Sequence, residues 1–330
     1  MTPSYEHAGI TLYSGDCLTV LPQLAAGSVQ CCVTSPPYYG LRSYLAGEAA
    51  EIGTEETLSA YVARLVNVFR AVRRVLREDG TVWLNLGDSY AGAGGTPAPP
   101  GGVRPGNPEK NGGVSDRDGL GSVAGRKRKD LIGIPWLVAF ALQADGWWLR
   151  SDIIWAKPAP MPESVTDRPT RSHEYLFLLA RAERYFYDAA AIAERPWTPA
   201  RGYPSWAERR ALGEPLRRGD PAVSGHVNHG AGWGIGPAGR NKRDVWTVNS
   251  ASFPDAHFAT YPPALITPCI LAGSRPGDLV LDPFSGAGTT MLVAKQLGRR
   301  GIGIDLNPAY NAMAARRLAQ DVLPLEEPAS

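Results

Sequence analysis

A doubly wound α/β fold, with an open and mostly parallel sheet covered by helices on both faces, is what this sequence predicts, on three observations. Strand-like apolar runs alternate with helical stretches along the chain. One such run, residues 279–282, passes directly into a glycine turn and then a helix. The chain is 330 residues long, enough to bury a full core around such a sheet.

Residues 5–14 alternate apolar and polar side chains and read as one strand ending at Gly15-Asp16. A short helix over 17–24 and a buried strand over 29–34 follow. Residues 58–77 predict an amphipathic helix. Tyr61, Leu65, Val68, Val72, Val75 and Leu76 fall on one face, and Arg64, Arg70, Arg73, Arg74 and Arg77 mostly on the other. Asp79-Gly80 stops that helix, and residues 81–86 form the next strand. Residues 135–144 predict a helix with proline in its first turn. Strands over 147–155 and 175–179 flank a proline-rich loop, and from Pro262 the order is helix, strand, helix, strand, helix.

Two segments break the periodicity. Residues 91–129 and 195–252 are rich in Gly, Pro and charge, and the first is expected to be mobile in the free protein. The formal charge is +2, but seven Lys/Arg stand against four Asp/Glu in 91–130, and nine against four in 195–244. Positive charge gathered in two loop-rich segments is expected where a protein meets a polyanion; solvated arginine-rich loops are the plainer alternative. Cys17, Cys31, Cys32 and Cys269 have neither disulfide-framework nor metal-ligand spacing, so no metal is expected. No apolar stretch reaches membrane-spanning length and residues 1–10 lack a leader pattern, so a cytoplasmic protein with no membrane partner is expected.

Two motifs carry chemistry. In Leu279-Val280-Leu281-Asp282-Pro283-Phe284-Ser285-Gly286-Ala287-Gly288-Thr289-Thr290, glycines let backbone approach a ligand and the helix N-terminus favours a negative group. The carboxylate end of S-adenosylmethionine suits that turn. The next strand ends at Asp305, 17 residues past Gly288, where an acid can accept hydrogen bonds from ribose hydroxyls. A nicotinamide dinucleotide would share that acid, but the third glycine of its turn is missing and Met291 stands in its place. His257-Phe258-Ala259-Thr260-Tyr261 precedes the helix before this strand. It can wrap the methionine moiety or simply pack the start of that helix.

The other motif is Thr34-Ser35-Pro36-Pro37-Tyr38. An aromatic amine is a poor nucleophile because its lone pair is delocalised into the ring. Two acceptors on its hydrogens, here Ser35 Oγ and the Pro36 carbonyl, can free that lone pair for in-line attack on a sulfonium methyl. Pro36 and Pro37 stiffen the turn, and Tyr38 offers a face on which to stack the base. A base inside a duplex reaches such a pocket only after rotating out of the stack. Covalent attack on cytosine C5 is excluded because Cys31 and Cys32 lie inside the strand, not on the loop after it. His173 can touch DNA or serve as a structural histidine.

With these residues the chain resembles the β-class amino DNA methyltransferases, in which the catalytic motif precedes the DNA-recognition segment and the cofactor motif comes last. The matching pieces are Tyr13 to Asp16, Thr34 to Tyr38, Leu84 to Tyr90, Asp152 to Pro158, His257 to Pro262, Asp282 to Thr289 and Ile304-Asp305. The resemblance implies a Rossmann-like methyltransferase fold with a seven-stranded sheet and an inserted target-recognition region. It implies S-adenosylmethionine as donor, with Asp16 contacting its adenine and with Thr34, His257, Ala259, Tyr261, Asp282, Pro283, Phe284, Ser285, Gly286, Gly288, Thr289, Thr290 and Asp305 around it. The expected division is a catalytic half over 1–90 and 131–195, a basic loop over 91–130, target recognition over 196–252 and a cofactor half over 253–330.

Serine at the first position of the Pro-Pro-Tyr motif inclines the expectation to cytosine N4, with adenine N6 as the alternative. A protein or small-molecule amine is a more distant acceptor, since a polar-Pro-Pro-Tyr turn also serves protein glutamine. Duplex DNA is the expected partner, a homodimer is compatible with the family, and a companion restriction endonuclease would complete a restriction-modification pair. Arg209, Arg210, Arg217, Arg218, Arg240, Lys242 and Arg243 are the expected phosphate and guanine contacts. Arg126, Lys127, Arg128 and Lys129 are expected to clamp the backbone.

Overall fold

The computed structural model describes residues 2–40, 51–91, 126–194, 240–250 and 261–319. His257, Ala259, Arg209, Arg210, Arg217 and Arg218 lie outside them, as do most of the two Gly/Pro-rich segments.

Among the described residues nine strands form one sheet: β1 (Tyr5–His7), β2 (Ile10–Ser14), β3 (Val29–Thr34), β4 (Leu76–Leu86), β5 (Trp148–Ala156), β6 (His173–Ala180), β7 (Val245–Thr247), β8 (Leu279–Asp282) and β9 (Arg300–Asp305). Their spatial order is β1-β2-β9-β8-β3-β4-β6-β5-β7, and all except β1 and β6 run the same way. The helices are α1 (Cys17–Val20), α2 (Leu58–Val75), α3 (Ile134–Ala144), α4 (Pro263–Gly273), α5 (Thr289–Gln296) and α6 (Pro308–Ala319).

Nine strands rather than seven result from short additions at the two ends of the order. Residues 5–14 are a hairpin instead of one strand, because Ala8 and Gly9 both take positive φ, 49° and 78°. That left-handed pair forms a tight two-residue turn whose twist matches its strands. At the far end β7 pairs with β5, and Trp246 packs against Trp83 with ring centroids 6.3 Å apart.

Helix α2 forms where its periodicity predicts. The Thr57 side chain accepts from the Ala60 N–H at its start, and Tyr61, Leu65, Val68, Val72 and Val75 are wholly buried. It ends at Val75, and β4 begins at once with Leu76 opposite Val29. Residues 77–80 bulge before pairing resumes at Cys31 and Thr81, so Asp79-Gly80 interrupts a strand rather than stopping a helix.

Strand alternation sends side chains to two helical layers. Cys32, Val82, Leu84 and Phe177 share a core with α2 and α3. Their neighbours Cys31 and Trp83 face α4: a Cβ added to Gly273 would meet Cys31 Sγ at 2.7 Å and Trp83 Nε1 at 2.9 Å.

The chain divides into two compact units. Residues 1–187 and 244–327 form the first, which contains the sheet; residues 188–243 and 328–330 form the second. In the second, Glu194 bridges Arg240 by an antiparallel backbone pair.

The packing at Gly273 is testable. Gly273→Ala should destabilise the fold by about 1–3 kcal/mol through overpacking, seen as a lower urea midpoint at unchanged denaturant slope. A neutral effect would show that this layer has slack.

Candidate active site

Strands β3 and β8 are neighbours, with Cys31 opposite Val280 and Cys32 opposite Leu281. The chain leaves β3 toward α2 on one face and leaves β8 toward α5, whose neighbours α4 and α6 form the other layer. Ligands in doubly wound sheets bind at such a switch point, beyond the carboxyl ends of the strands. Here both motifs emerge from those two ends.

They are tied together by Asp282, which is 1% exposed. Its Oδ1 accepts from Thr34 Oγ1 at 2.6 Å and from the Phe284 N–H at 3.0 Å. Its Oδ2 accepts from Thr290 Oγ1 at 2.6 Å and from the Tyr261 hydroxyl at 2.9 Å. Burial pushes the carboxyl above its ordinary pKa, while these donors pull it back. Each oxygen of Asp282 accepts from two donors. Asp282, Thr34, Tyr261 and Thr290, all expected around the cofactor, are thus joined to one another at this junction.

Two more members of the expected set, Ser285 and Gly288, lie in tightly packed surroundings. Ser285 Oγ is buried and has no hydrogen-bond partner among the described residues, packed where a Cβ on Gly303 would meet it at 2.6 Å. Gly288 (φ +77°) caps α5, and a Cβ there would meet Ala314 Cβ at 2.7 Å, so this glycine permits helix packing. Thr289 Oγ1 accepts from Arg317 at 3.3 Å, Pro283 is buried, and Phe284 packs on the core.

Gly286 differs. It has φ +50°, and among the described residues a Cβ on it would meet nothing within 4 Å. Its N–H donates to Asp305 Oδ2 at 2.8 Å, and the Asn307 N–H donates to Asp305 Oδ1 at 2.8 Å. Burial raises the Asp305 pKa to about 6 against those two donors. β2 pairs with β9 up to Ser14 opposite Asp305, which brings Asp16 beside it. There Asp16 caps α1 through its Oδ1 on the Leu18 N–H, 3.0 Å.

At the catalytic motif, Ser35, Pro37 and Tyr38 are half-buried and Pro36 is buried. The Tyr61 hydroxyl on α2 donates to the Pro37 carbonyl at 2.9 Å, which clamps the turn to the core. The Tyr38 hydroxyl donates to Glu174 Oε2 at 2.8 Å, and its ring lies where a Cβ on Gly87 would be 2.5 Å from Cε2. Glu174, Asn85, Gly87 and Tyr61 were missed as site residues, although Glu174 adjoins His173. His173 itself lies edge-on to Tyr175, with centroids 5.4 Å apart. Cys31 and Cys32 are fully buried, and burial pushes the Cys31 thiol up to about 12, so neither supplies a nucleophile.

Of the expected DNA contacts, residues 126–129 emerge at the end of β4, held by backbone bonds between Ala91 and Asp130 and between Ile132 and Ser89. Lys127, Arg128 and Lys129 are exposed, and Lys129 makes a surface ion pair with Asp167 at 2.6 Å. Arg240 and Arg243 converge instead on one carboxylate, Glu194, at 3.0 Å each. Lys242 lies between these two arginines in the chain.

The Asp282 junction predicts a specific loss. Thr34→Val keeps the shape of the side chain but removes one donor, and should cost about 1–3 kcal/mol of stability, with Thr34→Ser restoring most of it. Equal stability of all three chains by chemical denaturation would show that the junction contributes nothing.

The chain matches the family model of the N6_N4_Mtase DNA methylases over residues 29–316. It is 47% identical over 311 residues to the type II methyltransferase M.XycI of Xanthomonas campestris pv. cyanopsidis, covering 94% of this chain and 88% of that protein. It is 46% identical over 321 residues to the type II methyltransferase M.Cfr9I of Citrobacter freundii, covering 95% and 89%. Its fold is similar to that of the cytosine-N4-specific PvuII DNA methyltransferase, with TM-score 0.64 and 17% identity over 97% of this chain and 89% of that one. It is similar also to TTHA0409 of Thermus thermophilus, solved with S-adenosyl-L-methionine, with TM-score 0.55 and 22% identity over 93% and 92%. Both motifs joined at Asp282 lie inside the matched span, and the chain belongs to the DNA methylase family.

Proposed function

We propose that this protein is a site-specific DNA methyltransferase that moves the methyl group of S-adenosylmethionine to the N4 amine of cytosine in duplex DNA, after the base has rotated out of the stack. The observation that carries the reading is the Thr34–Asp282 hydrogen bond, which sets the Ser35 turn beside the Gly286 turn. The first turn presents an acceptor for an amine, and the second presents space and backbone for a methyl donor.

The residues present fit that donor. The open side of Gly286 admits close approach, and the carboxylates of Asp305 and Asp16 offer acceptors for ribose hydroxyls and for an adenine amine or the methionine ammonium. S-adenosylmethionine supplies an electrophilic methyl on sulfur when bound. Ser35 Oγ and the Pro36 carbonyl would orient the amine hydrogens, directing the nitrogen lone pair toward that methyl. Tyr38 would stack the extruded ring, and the clamped Pro37 carbonyl keeps the turn from yielding under load. The work is positioning and electrostatics.

Serine at position 35 favours cytosine N4, and the fold-level likeness to a cytosine-N4-specific enzyme is in keeping with it. Adenine N6 transfer uses the same geometry and is the second reading. The type II names of the relatives support a companion endonuclease in a restriction-modification pair. Lys127, Arg128 and Lys129 would meet phosphates beside the catalytic edge, and residues 196–252 would read the sequence.

Nucleoside analysis of methylated duplex DNA tests the reading: N4-methylcytosine is expected, and N6-methyladenine alone would overturn the choice of acceptor. Ser35→Ala should slow transfer by about 100-fold or more while cofactor affinity changes by less than about twofold. Parallel losses in both would remove Ser35 from its role.

Asp305 gives a pH signature. Its charged carboxylate accepts from hydroxyls more strongly than the neutral acid does, and its pKa of about 6 lies within reach of mild acid. Cofactor affinity should be level near pH 8 and fall by up to about tenfold per unit below pH 6, because the complex holds fewer protons than the free protein. Titration calorimetry should find the profile flattened in Asp305→Asn.

A further inference from the structure

Glu174 is the most heavily engaged carboxylate around the catalytic motif that the transfer chemistry itself does not use. Its Oε2 accepts from the Tyr38 hydroxyl at 2.8 Å and from Asn85 Nδ2 at 3.2 Å, and its Oε1 pairs with Lys157 Nζ. The Glu174 and Lys157 side chains are 17% and 20% exposed, so the pair is shielded rather than solvated. Lys157 is itself held over the Trp155 ring, 4.2 Å from the centroid, and Asn85 also donates to the Tyr175 carbonyl at 3.1 Å. Every partner of the carboxylate is thus fixed by a second contact.

The topology explains why these groups meet. Asn85 lies at the end of β4 and Lys157 directly after β5, both running toward the catalytic edge. β6 runs the other way, pairing with both, so its first residues, His173 and Glu174, arrive at that same edge between them. On the far side of Tyr38, Gly87 leaves room for the ring and no more. The ring is therefore held at its hydroxyl by a charged acceptor and along its edge by backbone.

We infer that Glu174, supported by Lys157 and Asn85, is a positioning residue for the reaction: it fixes the Tyr38 ring at the angle on which the extruded base stacks. This rests on the methyl-transfer reading above and adds a determinant of rate outside both motifs. A free tyrosine rotates about two side-chain bonds, and every misplaced angle moves the stacked amine off the line of attack. A charge-assisted hydrogen bond at the far end of the ring removes that freedom. Glu174 does not touch substrate, so its effect should vanish when the Tyr38 hydroxyl is absent.

A mutant cycle on the full chain tests this. Single-turnover transfer to duplex DNA and S-adenosylmethionine affinity are measured for the wild type, Glu174→Ala, Glu174→Gln, Tyr38→Phe and the double variant Tyr38→Phe with Glu174→Ala. Glu174→Ala and Tyr38→Phe should each slow transfer by about 10- to 100-fold with affinity changed by less than about twofold. The double variant should be no more than about threefold slower than the worse single one, and Glu174→Gln should recover most of the rate. Losses that multiply in the double variant would overturn the inference.

Fluorotyrosine placed at position 38 gives a readout that does not depend on turnover. Its ¹⁹F signal should be one narrow line in the wild type and in Glu174→Gln, and broadened or shifted in Glu174→Ala. An unchanged line in Glu174→Ala would also overturn the inference. Should Glu174→Ala not fold, Lys157→Met replaces it in the same cycle, and there too multiplicative losses count against the idea. If the wild type methylates adenine rather than cytosine, the functional reading fails on its acceptor. The cycle is then scored on adenine and still decides the role of Glu174.

Discussion

A single buried carboxylate holds the two halves of this site in register. Taking a charge out of water costs several kcal/mol unless neighbours replace the lost hydration. At Asp282 four donors do so, and they come from four places: Thr34 at the end of β3, Tyr261 before α4, Thr290 on α5, and the Phe284 backbone. Folding that brings one of them without the others leaves an unpaired charge in the core. The carboxylate therefore couples the position of the catalytic turn to that of the cofactor turn, across 248 residues of chain.

The division of labour within each motif follows from this. The polar side chains of Thr34, Thr290 and Tyr261 all bond to Asp282 in the junction. At the neighbouring strand end the Gly286 N–H donates to the Asp305 carboxylate at 2.8 Å, so backbone of the glycine turn is tied to β9. Such an arrangement is rigid where alignment matters, because backbone anchored in a sheet moves less than side chains on loops.

The antiparallel strand β6 gives the catalytic edge something a fully parallel sheet lacks. Parallel strands end at that edge with their carboxyl termini, whereas β6 begins there, so residues from both directions of chain meet around Tyr38. The same reversal pairs Leu178 with Trp83, whose indole packs against Gly273 with little slack.

Much of the architecture could be read along the chain. The period of α2, the strand–turn–helix at Gly286, the burial of Cys31 and Cys32 and the turn at Ser35 are local patterns, and local sterics and hydrophobic alternation determine them without reference to distant residues. The hairpin at Ala8-Gly9 was harder, since one alternating run is compatible with a strand or with two strands closed by a left-handed pair. The tertiary structure alone decided which polar groups point inward. The pairing of Asp282 with Thr34, of Arg240 and Arg243 with Glu194, and of Glu174 with Tyr38 has no local signature in the sequence. A hydrogen-bonding side chain takes whichever partner the fold brings within about 3 Å, and that choice depends on strand order and direction, which no local pattern encodes.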